Sequence, residues 1–178
     1  EITKEEMDNA VETAVLLGAP VIRVWAGEKS PSDDDCEYRQ KIADNAKYMS
    51  EQAAKHNIRI GFEYHRNTLT ENAESAVDLM KKIDCDNVGL YWQPRGVLTP
   101  EENHRELLYV APYLIGNLHV HNHNDEQGYQ PLSLIEDNLR LYYNDIKDKP
   151  YNLMIEFVKD GIIENLLSDS KVLQSIIL

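Results

Sequence analysis

Apolar residues recur along this chain at two alternating spacings, one near 3.6 residues and one near two. Over Thr3 to Leu17, Met7, Ala10, Val11, Ala14 and Val15 line one helical face. Thr3 and Glu6 form a capping box there, and Gly18 closes the helix. Pro20 to Ala26 predicts a strand ending at Gly27, followed by a polar loop through Pro31 and Asp33–Asp35. A helix is expected from Glu37 to His56, with Ile42, Ala46, Met49 and Ala53 as its buried stripe. Ile58 to His65 is the next strand, then a helix from about Glu71 to Ile83, then a strand over Val88–Gln93. Thr99-Pro100-Glu101-Glu102 is a helix start with an N-cap threonine and proline at N1. Ile115 to Asn124 alternates apolar and polar residues as a half-buried strand does. Leu132–Ile146 is predicted helical, Tyr151–Val158 a strand, and Ile162 onward a last helix.

The order is a helix and then strand–helix five times, which predicts an α/β fold of parallel βα units. No dinucleotide or phosphate-loop glycine motif follows any strand, so a barrel of the (β/α) TIM type fits better than a doubly wound sheet. A full barrel takes about 250 residues. The 178 residues are therefore expected to carry five βα units, without the first three, as one continuous domain over 1–178. The chain opens with Glu1-Ile2 directly before a helix signal, as a piece of a longer protein would. An exposed barrel edge predicts association, and a homo-oligomer is one form it could take.

Charge narrows the partners. With 31 acidic against 18 basic residues the formal net charge is -13, which repels a phosphate backbone and disfavours nucleic acid. No apolar run approaches the roughly 18 residues of a membrane span. Cys36 and Cys85 match no C-x-x-C pattern and read as reduced thiols of a cytoplasmic protein.

Strand ends carry the candidate chemistry, because in a βα barrel the side chains there surround the active site. The non-aliphatic parity of 58–65 ends at Glu63, and that of 88–93 at Gln93. On the His-rich strand Asn117, His119 and His121 share one face. In Tyr151–Val158, Leu153, Ile155 and Phe157 are expected on the helix side, which leaves Glu156 inward. Glu63, Gln93, His119 and Glu156 thus form a candidate ligand set for a divalent metal, Mn²⁺ first, with Mg²⁺, Co²⁺ or Zn²⁺ also suited. Arg23, Trp25, His65 and His121 are candidates for substrate contact; Arg23 has inward parity and could meet a phosphate or a carboxylate. Trp92 has the opposite parity and is expected under a helix.

These runs resemble a family. R-I-G-F-E-Y-H, N-V-G-L-Y-W-Q-P, N-L-H-V-H and N-L-M-I-E-F look like strands five to eight of the xylose isomerase-like superfamily, closest to its sugar phosphate isomerases and epimerases. L-G-A-P-V-I-R-V-W-A-G resembles strand four, so the likeness covers nearly the whole chain. The resemblance implies a divalent metal held at four strand ends, with Glu63, His119 and Glu156 in their family roles and Gln93 at an aspartate position. It further implies a sugar substrate, proton transfer by Glu63 and Glu156, and a metal-stabilised enediolate. Two positions depart from the pattern. Gln93 is neutral where the family ligand is anionic, and Gly96 stands where many members carry a histidine. The absent strands would supply part of the pocket, so this chain alone could be inactive even where its parent is an enzyme. A non-catalytic sugar-binding relative is the alternative these departures favour; an endonuclease IV-like repair enzyme, which needs more His and Asp ligands and a basic face, is disfavoured by the charge.

Overall fold

In the computed structural model, residues 3–33, 36–124, 126–148 and 150–177 are described. Glu1-Ile2 and the Asp34-Asp35 part of the predicted loop lie outside the described residues. Two compact units are distinguished, Glu1–Tyr91 with Tyr113–Ile115, and Trp92–Pro112 with Gly116–Leu178.

The first unit runs α1 (Lys4–Leu17), β1 (Val21–Val24), α2 (Cys36–Ala54), β2 (Arg59–Glu63), α3 (Ala73–Ile83) and β3 (Val88–Trp92). The predicted capping box of Thr3 and Glu6 forms, and Gly18 closes α1 in the left-handed conformation at φ 64°. β1 pairs with β2 and β2 with β3, both in parallel, with Arg23 opposite Gly61 and Glu63 opposite Tyr91. One sheet face is apolar: Ile60 and Phe62 are buried, as are Met7, Val11 and Ala14 of α1 and Ala46, Met49 and Ala53 of α2. This is the burial that stabilises the unit, at about 25 cal/mol per Å² of apolar surface removed from water.

On the opposite face two glycines leave room for their neighbours. Gly61 lies under the Tyr91 ring, and Gly89 faces the Tyr113 carbonyl and Ile115. α3 begins at Ala73 rather than Glu71, because the chain after β2 is spent on a hydrogen-bonded loop. There Thr70 Oγ1 donates to the Glu63 carbonyl at 2.6 Å and Thr68 Oγ1 to the His65 carbonyl at 2.7 Å. Both threonines are buried, so the loop fixes the backbone of Glu63 and His65 from beneath.

The second unit holds α4 (Pro100–Val110), most of β4 (Leu114–Val120), β5 (Asn122–Asn124), β6 (Gly128–Gln130), α5 (Glu136–Ile146), β7 (Asn152–Ile155) and α6 (Ile163–Ile177). Thr99 and Glu102 form a second capping box at α4. β4 and β7 are parallel, with His119 opposite Met154. Leu107, Leu118, Val120, Leu139, Tyr142 and Leu173 make the core. Trp92 belongs to it, edge-on to Tyr142 with centroids 5.7 Å apart, as its parity predicts.

Three expectations are corrected here. The strand expected to run on to Asn124 stops at Val120, and Asn122–Asn124 instead pairs antiparallel with Gly128–Gln130. The Asn122 side chain donates to the Pro131 carbonyl and the Asn124 side chain accepts from the amides of Glu126 and Gln127, which closes a hairpin. The helix predicted from Leu132 opens as a 3-10 turn, Leu132–Ile135, whose first amide donates to buried Asp169 at 2.9 Å. Phe157 is not packed under a helix: it is half-exposed and stacks on Tyr129 of the hairpin at 4.6 Å.

Candidate active site

In the first unit the side chains gather on Glu63, the last residue of β2 and 1% exposed. A carboxylate so deeply buried requires donors. Arg23 Nη1 and Trp25 Nε1 both donate to its Oε2, the indole at 2.5 Å. Both donors come from β1 and the residue just after it, and the register of Arg23 against Gly61 puts them on the glutamate's face. Arg23 therefore meets a carboxylate, one of the two partners expected for it. Trp25 also stacks on His65, with centroids 4.1 Å apart and planes 28° from parallel. His65 is held in turn through Nδ1 by the Arg66 carbonyl at 2.7 Å. The result is a clamped carboxylate beside a flat indole–imidazole surface, and Trp25 leaves about half of itself exposed.

In the second unit a cluster forms where three segments end. Gln93 follows β3, His119 and His121 lie at the end of β4, and Glu156 is one residue beyond β7. The Glu156 amide still donates to the Val120 carbonyl at 3.3 Å, so the parallel ladder aims its side chain with the strand's parity. His119 Nδ1 lies 3.2 Å from Gln93 Oε1 and 3.6 Å from Glu156 Oε2. His121 Nδ1 is likewise 3.6 Å from Glu156 Oε2. Both imidazoles are more than nine-tenths buried, whereas Glu156 keeps some exposure.

The distances from His119 to Gln93 and Glu156 suit co-ligands of one ion. Metal–ligand bonds of 2.0–2.2 Å at angles of about 90–110° place ligand atoms roughly 3.0–3.5 Å apart. The donor set is neutral imidazole, carboxylate oxygen and amide oxygen, which fits a divalent cation. Among the described residues His121 Nδ1 is also buried without a hydrogen-bond partner.

Sequence reasoning missed the aromatic surface next to this cluster. Tyr129 on β6 presents its ring edge to His121 at 6.0 Å, tilts against His123 at 4.8 Å and stacks on Phe157. The turn signal was present in Asn124 to Gly128, where Gly128 adopts φ 68°. Gly96 also gains a reason: a Cβ there would lie 2.4 Å from the His123 carbonyl oxygen and 3.2 Å from its Nδ1. No side chain fits at position 96 while the hairpin sits where it does.

The fold has counterparts among known proteins. The chain superposes on the solved structure of the probable 3-DHS dehydratase of petrobactin synthesis from Bacillus anthracis with a TM-score of 0.80 at 20% identity, over 96% of this chain and 69% of that one. It superposes on the IOLI protein with a bound zinc atom with a TM-score of 0.72 at 16% identity, over 97% and 68% of the two chains. The 2-oxo-tetronate isomerase of Pectobacterium atrosepticum is 31% identical over 93 residues, which is 49% of this chain and 36% of that protein. The chain thus spans little more than a third of that relative's length. The structural likenesses give the fold, α/β of the TIM-barrel type. A model of the xylose isomerase-like TIM barrel family matches residues 1–144, and to that family the chain belongs.

Proposed function

We propose that residues 1–178 form one domain of a cytoplasmic, metal-dependent isomerase or epimerase of a small sugar, sugar phosphate or related hydroxy-carbonyl compound. The observation that carries the reading is the convergence of Gln93, His119 and Glu156, with ligand atoms 3.2 and 3.6 Å apart. In this reading Gln93, His119 and Glu156 hold the ion, and Glu63 is the fourth ligand that the family resemblance implies. When bound, the ion supplies positive charge against the negative charge that develops on the substrate oxygens during enolisation. Glu156 exchanges a proton with the carbon next to the carbonyl, and Glu63 is the second carboxylate to which the family resemblance gives that role. The donors Arg23 and Trp25 orient the Glu63 carboxylate, and the Trp25–His65 surface beside it is offered to a substrate. The named relatives, a 2-oxo-tetronate isomerase and a 3-DHS dehydratase, support chemistry that begins by moving a proton beside a carbonyl.

The neutral Gln93 favours a second reading, a sugar-binding relative without turnover. One experiment separates the two. The protein is incubated in deuterated water with Mn²⁺, Co²⁺ or Zn²⁺ and a panel of small ketoses, sugar phosphates and hydroxy-oxo acids, and deuterium uptake at carbon is followed by NMR. Uptake with at least one compound, lost in Glu156→Gln, is expected. Binding of a compound with no uptake under any metal would assign the non-catalytic reading instead.

A further inference from the structure

Phe157 was expected on the helix side of its strand, yet it is 46% exposed just beyond β7. A single exposed apolar residue needs no explanation, but this one ends a run of rings. Tyr129 of β6 stacks on Phe157 with centroids 4.6 Å apart and planes 26° from parallel, tilts against His123 at 4.8 Å, and turns edge-on to His121 at 6.0 Å. His121 Nδ1 in turn lies 3.6 Å from Glu156 Oε2. Exposure rises along the run, from 8% at His121 through half-buried His123 and Tyr129 to Phe157. The rings thus step from the cluster around Glu156 out to solvent. Both ends of this platform are held: Asn122 Nδ2 donates to the Pro131 carbonyl at 3.0 Å and anchors the hairpin, and Asn165 Nδ2 donates to the Lys159 carbonyl at 2.8 Å in the turn after Phe157.

We propose that Tyr129 and Phe157 are specificity-determining residues of the candidate site, a platform on which the C–H face of a pentose- or hexose-sized ketose stacks while its carbonyl end lies at Glu156. This rests on the sugar reading of the preceding section. The face of an aromatic ring carries the negative part of its quadrupole. Carbons that bear hydroxyls present weakly positive C–H bonds on one side, and their hydroxyls project sideways into water. A sugar therefore stacks on such a ring without leaving a polar group buried and unpaired. One imidazole separates Tyr129 from the Glu156 carboxylate, so a chain of several carbons spans from the carbonyl to the platform, and a triose does not reach it. Because the rings stand on hydrogen-bonded segments, little freedom is lost when a ligand covers them.

The test compares wild type, Phe157→Ala and Phe157→Tyr, each with Zn²⁺ or Mg²⁺, against a panel of pentuloses, hexuloses and the triose dihydroxyacetone. Saturation-transfer NMR with irradiation of the aromatic protons should carry saturation to the C–H protons at the end of a ketose away from its carbonyl. Titration should show Phe157→Ala binding that ketose about tenfold more weakly, the low end of what a lost apolar contact costs in a pocket. Phe157→Tyr should restore most of the loss, and dihydroxyacetone should change little in either variant. Where deuterium uptake occurs, the loss should fall on KM rather than kcat, as for binding shared by ground and transition states. Circular dichroism checks folding, and the wild-type saturation pattern decides if Phe157→Ala is unfolded. Saturation that misses the far end of the ketose, unchanged ketose affinity in Phe157→Ala, or an equal loss with the triose would overturn the platform and leave the sugar reading standing. A wild type that neither binds any compound of the panel nor exchanges deuterium into one would overturn both.

Discussion

Gly61 offers the sharpest check on how β2 and β3 pack. A Cβ placed there would lie 2.1 Å from Tyr91 Cε2, 2.4 Å from Cδ2 and 3.3 Å from Ile115 Cγ2. Carbon atoms rest at about 3.5–4.0 Å, so in Gly61→Ala the tyrosine ring must retreat by roughly 1.5 Å. Tyr91 is 5% exposed and has no solvent to swing into. Forcing a buried side chain off its position costs about 1–3 kcal/mol. Gly61 is not among the residues with positive φ, so backbone strain adds nothing and the effect is packing alone. For a chain of this size about 1 kcal/mol moves Tm by roughly 2–4 °C, which predicts a fall of roughly 2–12 °C, with a matching drop in the urea midpoint followed by circular dichroism. Tyr91→Leu removes the ring, so in the double variant the alanine should be tolerated, with a coupling of about 0.5–3 kcal/mol in the compensating direction. A Gly61→Ala protein unfolding at the wild-type midpoint, or strictly additive single changes, would refute the described contact between these strands.

Other changes test other parts. Asp169→Ala should lose about 1–3 kcal/mol, because the buried Leu132 amide is left without its acceptor, whereas Asp169→Asn keeps the oxygen and should stay near wild type; equal losses in the two urea curves would sink this. Arg23→Met leaves Glu63 with one donor fewer, and since Arg23 is itself half-exposed the expected loss is only about 1 kcal/mol, read from the same curves; an unchanged midpoint would show that the pair contributes nothing. Burial raises the Tyr142 phenol to about 12 from an ordinary 10.0. The unfolded chain therefore loses this proton first, so the tyrosine's contribution to stability is full below pH 10 and falls as pH rises through about 12. Tyr142→Phe should flatten part of that alkaline decline, and a variant that declines as steeply as wild type would contradict it.

The elements were legible wherever local chemistry decides them. The two capping boxes and Gly18 mark helix ends that the structure reproduces, because a cap is a matter of three or four neighbouring residues. Strand parity located Glu63, His119 and Glu156 for the same reason. What failed depended on partners distant in sequence. The alternation from Ile115 to Asn124 continues past the point where the ladder stops, and only the bond from Asn122 to the Pro131 carbonyl reveals the hairpin. Glu156 and Phe157 differ by one position, yet the ladder reaches the first and not the second, so parity holds for the glutamate and fails for the phenylalanine. The pairing of Arg23 with Glu63 needed the register of β1 on β2, which no local pattern encodes. The approach of His121 Nδ1 to Glu156 Oε2 is likewise visible only once the neighbouring segments are in place.

Metal content tests the central claim most directly. Protein purified and dialysed against Mn²⁺, Co²⁺ or Zn²⁺ is assayed by elemental analysis beside His119→Ala and Glu156→Ala, each checked for folding. The account predicts close to one equivalent of at least one of these ions in the wild type and its loss in both variants. A wild type that holds no ion from any of the three solutions, or variants that hold as much as the wild type, would contradict it.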